Sequence, residues 1–114
     1  MRKSKDKPGF YKGKHLTEYV DDVKRLKREG RVDDVEGLLL MLVETTEEED
    51  RHDKHGVAPW YYEQLAILYR QQKRHDDEVA ILEWYDRQRK APGVTPQQLK
   101  ERLAKAKELL DKRE

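Results

Sequence analysis

The apolar residues of this chain fall at helical spacing wherever their spacing is regular, and this restricts the fold more than any other feature. Val35, Leu38, Leu39, Leu42 and Val43 stand at i, i+3, i+4, i+7 and i+8, the stripe that one face of an α-helix buries. Tyr19, Val23 and Leu26 keep the same period, as do Tyr62, Leu65, Ala66 and Tyr69. Val79, Ile81, Leu82, Trp84 and Tyr85 make a further cluster, and Leu99, Leu103, Ala106 and Leu110 a last stripe. No useful length alternates apolar with polar residues, so no strand is required. The expected fold class is all-α. The spacing predicts helices over 16–30, from Asp33 or Asp34 to Val43, over 59–73, over 76–90, and from Thr95 onward.

Such patterning has to be strict, because 43% of the residues are charged and only 35% are hydrophobic. Opposite charges nearly cancel, to a net +1, so self-repulsion does not oppose a compact chain. The absence of cysteine excludes disulfides, thiolate metal sites and cysteine nucleophiles. No apolar run is long enough to span a bilayer, and Met1 to His15 lacks the apolar centre of a secretory signal. A cytoplasmic protein with no membrane role is expected.

Local chemistry supports the helix boundaries. Asp21 and Asp22 near the start of the first segment, and Lys24, Arg25, Lys27 and Arg28 near its end, complement the helix dipole. Gly30 is a stop signal, and Asp33 or Asp34 and Asp76 are candidate caps. Pro59 suits a first helical turn. Thr95-Pro96-Gln97-Gln98 combines a capping residue, a first-turn proline and a glutamine three positions on. Two segments lie outside the pattern. Residues 1–15 carry +5, with Pro8, Gly9 and Gly13 against any helix, and read as a flexible basic arm preceding one helical domain over 16–114. Residues 44–56 have no apolar residue and carry −4, as either a helical extension or a charged loop.

The first two helices resemble the third and fourth when Gly30 is set against Lys73. Tyr19 then matches Tyr62, Val23 matches Ala66, Leu26 matches Tyr69, Asp33-Asp34 matches Asp76-Asp77, Leu39 matches Leu82, and Leu42 matches Tyr85. Paired helices with these residues and a G-x-x-D-[DE] turn, best seen in Gly30 to Val35, resemble the tetratricopeptide repeat. Three departures stand out: an offset of 43 residues where the repeat has about 34, Lys73 at the turn glycine, and Glu78 where a small residue is usual. The resemblance implies two antiparallel helix pairs with the last helix as a cap. It also implies a groove lined by the first helix of each pair. The groove positions would be Thr17, Val20, Lys24, Lys27 and Arg28, then Trp60, Glu63, Ile67, Arg70 and Gln71. Lys24, Lys27, Arg28, Trp60 and Arg70 are the peptide-binding candidates, and their charge suits an acidic protein or peptide partner.

Signs of catalysis are weak. None of the phosphate-loop, dinucleotide, nucleophile-elbow or zinc-protease motifs occurs, and the one serine is Ser4. His52 and His55 share a helical face but sit among Arg51 and Lys54, and His75 stands beside a helix-capping Asp76. No enzyme, metal or cofactor is expected. Most of the aromatic residues read as core, with Trp60 the best candidate for an exposed anchor. As an alternative, Arg2, Lys3, Lys5, Lys7, Lys12 and Lys14, interleaved with Phe10 and Tyr11, suit contact with nucleic acid. Self-association through uncovered helix faces is a third expectation.

Overall fold

Pro8 and Gly9 begin a short ordered segment where a flexible arm was expected. In the structure, a computed structural model that describes residues 7–113, β1 (Phe10–Tyr11) and β2 (Lys14–His15) form an antiparallel hairpin. Its two-residue loop is Lys12-Gly13, with φ of 51° and 83°. Both values are positive, as the tight turn that matches strand twist demands. The hairpin runs into a 3₁₀ turn, Leu16–Tyr19, closed by a capping box between His15 and Glu18. Tyr19 Oη then donates to the carbonyl of Tyr11 at 2.6 Å. The expected first helix is therefore two elements, the 3₁₀ turn and α1 (Val20–Arg28).

α2 (Val32–Asp53) is the longest helix and takes in most of the acidic 44–56 stretch. That stretch has no apolar side chain, yet Thr45 and Thr46 are fully buried, and Thr45 Oγ1 donates to the carbonyl of Met41 at 2.7 Å. Threonine's methyl group supplies apolar surface while its hydroxyl is satisfied one turn back. Neither Asp33 nor Asp34 caps this helix. The N-cap is Arg31, and both aspartates fall within the first turn. Helix α2 ends at Lys54, in the left-handed conformation.

In the second half, α3 (Pro59–Gln71) starts with its proline at the first position, as expected. α4 (His75–Asp86) ends earlier than its spacing suggested, and α5 (Thr95–Arg113) follows. Asp76 is not a cap here either, because the N-cap is Arg74. Buried Val57 pairs in parallel with Lys90 through Val57 N–H to the Arg89 carbonyl at 2.8 Å. Gly56 is pressed so closely on the backbone of Lys90 and Ala91 that a Cβ there would collide.

The chain divides into two compact units, Met1–Lys54 and His55–Glu114, a division inside the stretch expected as one domain. In the first, α1 packs on α2, and β1 and the 3₁₀ turn also lie against α2. Its core includes Leu16, Val23, Val35, Leu39 and Leu42. In the second, α4 packs on both α3 and α5, around Tyr62, Leu65, Leu82, Tyr85 and Leu99. The all-α class holds: among the described residues there are five α-helices and one small hairpin. None of these helices is long and apolar enough to cross a membrane.

Candidate functional site

The two helix turns repeat in atomic detail. Gly30 N–H bonds the carbonyl of Lys27 at 3.1 Å and Arg31 N–H that of Leu26 at 3.0 Å. At the later turn, Lys73 N–H bonds Arg70 at 3.0 Å and Arg74 N–H bonds Tyr69 at 2.8 Å. This paired pattern satisfies the last carbonyls of a helix and needs a left-handed residue at its centre. Gly30 has φ 71° and Lys73 φ 59°, so the lysine adopts the glycine's conformation. The next helix then opens with an ion pair of the same geometry. Arg31 Nε meets Asp34 Oδ2 at 2.8 Å, and Arg74 Nε meets Asp77 Oδ2 at 2.8 Å. The third departure, Glu78, is buried completely and accepts a hydrogen bond from Arg70 Nε on its Oε2 at 2.8 Å, with Arg70 Nη2 at 2.7 Å and Arg102 Nη1 at 4.0 Å from the same oxygen. The Arg70 ion pair on Oε2 lets a carboxylate stand where a small residue is usual, while Oε1 is left without a hydrogen bond among the described residues.

These contacts sort the expected binding residues. Lys24 and Arg28 are exposed on one face of α1 and make no ion pair among the described residues. Lys27 lies on the same face and is partly covered, and this burial lowers its ammonium pKa below the ordinary value. Arg70, expected beside them in function, gives its guanidinium to buried Glu78 instead. Trp60 is half-buried, its ring set edge-on to Tyr61 at 5.3 Å.

Of the residues considered for nucleic acid, Arg2, Lys3 and Lys5 lie outside the described residues. Lys7 and Lys12 are exposed. Lys14 pairs with Asp22 at 2.9 Å, its ammonium 4.3 Å from the centre of the Tyr19 ring, and this ion pair raises its pKa. No group of three or more histidine, cysteine, aspartate or glutamate residues is placed to hold a metal ion among the described residues.

The exposed tryptophan is Trp84, not Trp60. Trp84 keeps 43% of its surface and lines an open depression of about 190 Å³ with Tyr69, Asp77, Ala80 and Ile81. Arg74 lies over the Tyr69 ring at 4.5 Å, and Arg87 lies 5.9 Å from the Trp84 ring centre. The signal was in the register of α4. Asp77, Ala80, Trp84 and Arg87 follow one another by three, four and three positions, on the side opposite buried Glu78, Leu82 and Tyr85. Comparison of the chain with models of known protein families, with curated proteins and with solved structures gives no significant match.

Proposed function

We propose that the chain is a non-catalytic, tetratricopeptide-like scaffold that binds an acidic segment of another protein through α1. The α1 face of Lys24, Lys27 and Arg28 carries this reading. Like charges at i and i+4, as at Lys24 and Arg28, repel one another on a helix, and a carboxylate-bearing ligand relieves that repulsion through charge-assisted hydrogen bonds. Lys27 and Arg28 stand in the last turn and complement the helix dipole, which accounts for these two but does not require Lys24 to face the same way. The duplicated turn, with its repeated arginine–aspartate pair, supports the repeat-like character. Both departures at the second turn have a local physical explanation.

The test is a binding titration with a glutamate-rich, end-capped peptide. Reversing Lys24, Lys27 and Arg28 to Glu should weaken binding by about a hundredfold, at about 1 kcal/mol or slightly less per exposed ion pair. Equal affinity in the reversed protein would refute the assignment.

A further inference from the structure

We propose that the depression between α3 and α4 of the second unit is an anchor site for one bulky apolar side chain carried on an acidic segment of a partner protein. The proposal rests on the acidic-ligand reading above and extends it to a separate place on the molecule. The duplicated turns provide an internal control. Shifted back by 43 positions, the residues lining the depression become Leu26, Asp34, Gly37, Leu38 and Met41. Both turns keep the backbone pattern and the arginine–aspartate pair. Only the second carries Tyr69 and Trp84. Tyr69 is buried in the core like its counterpart Leu26, but turn geometry does not call for Trp84, and a tryptophan left 43% exposed gains by being covered.

Size and charge define the occupant. About 190 Å³ is below the 300–1,000 Å³ of pockets that hold a whole small molecule and suits a single side chain. The one carboxylate in the lining, Asp77, is neutralised by Arg74 at 2.8 Å. The guanidiniums of Arg74 and Arg87 already lie over the Tyr69 and Trp84 rings. A cationic ligand would be set against Arg87, whereas an apolar residue flanked by carboxylates fills the depression and meets Arg87 as a counter-ion. Tryptophan and arginine around a small pocket are also the residues on which binding energy concentrates.

The experiment follows Trp84 emission in a Trp60→Phe variant, with calorimetry on the unsubstituted chain as a second readout. The probe is an end-capped peptide with a central phenylalanine between glutamates. Controls replace the phenylalanine by alanine, or the glutamates by lysines. A saturable emission change is expected with the first peptide, and about tenfold weaker binding with each control. Ala80→Arg, an exposed helical site that tolerates arginine, should fill the depression and weaken binding about tenfold. Arg87→Glu should weaken it by a similar factor, with unchanged circular dichroism in both variants. Three results would overturn the proposal: no saturable change with the phenylalanine–glutamate peptide, equal or tighter binding of the lysine peptide, or an unchanged affinity in Ala80→Arg. If that last result came with loss of binding on reversal of Lys24, Lys27 and Arg28, the anchor site would fall while the α1 reading stood.

Discussion

Lys73 holds a left-handed conformation that costs a residue with a Cβ about 1 kcal/mol, and the chain accepts this cost to complete its second helix turn. Glycine meets the same requirement at position 30 without that penalty. Lys73→Gly should therefore raise unfolding stability by about 0.5–1 kcal/mol, read as a higher urea midpoint at constant slope. Gly30→Ala should lower it by a similar amount through backbone conformation alone, since a Cβ at Gly30 would meet nothing within 4 Å. Lys27 separates stability from binding. Burial disfavours its charged form, so its folded pKa lies below the unfolded one. Between those two values the unfolded chain holds more protons, so this residue's contribution to stability rises with pH. Lys27→Met keeps the apolar stem and removes the charge. Stability should change by no more than about 0.5 kcal/mol, while affinity for the acidic peptide falls. A parallel loss of both would mean that the ammonium is structural.

Glu78 ties three elements together, since it belongs to α4 and is met by Arg70 of α3 and Arg102 of α5. Removing one member of a buried pair typically costs 3–5 kcal/mol. Arg70 and Arg102 keep 31% and 26% of their side-chain surface, so Glu78→Ala should lie at the low end, about 3 kcal/mol by denaturant unfolding. The first unit shows an apolar solution, with buried Val35 at the matching position. Replacing Glu78 by Val together with Arg70 and Arg102 by Leu should recover most of the loss, because a packed apolar cluster often equals a buried ion network. The hairpin offers a smaller test. His15 Nε2 lies 2.8 Å from Glu49 Oε2 on α2, and Gly9 is packed against the same glutamate. Glu49→Gln should cost less than about 1 kcal/mol yet loosen the hairpin from α2. Faster trypsin cleavage after Lys12 would register the change.

Over the whole molecule, charge is abundant and nearly balanced, at net +1, so the chain has little long-range field and local clusters decide its electrostatics. Raising salt to about 0.5 M should therefore weaken the acidic peptide by about tenfold through screening, while unfolding stability changes little, because exposed ion pairs contribute only about 0–1 kcal/mol each. Helix existence was legible because period and breaker residues are local: Val35 to Val43 could only form a helix, and Gly30 and Pro59 marked real ends. The hairpin was hidden because its loop is Lys12-Gly13 and not the usual Asn-Gly, and the far end of α2 stayed open because Thr45 and Thr46 do not count as apolar. Partnership was hidden for a different reason. The sequence alone determined the all-α class, the helical stripes and the duplication around Gly30 and Lys73, since each depends on neighbours within a few turns. Only the tertiary structure decided that Arg70 serves Glu78, that Glu49 receives His15 and that Trp84 is left in the open. Those outcomes depend on which distant side chains meet once the helices pack, and on how much water the packing excludes.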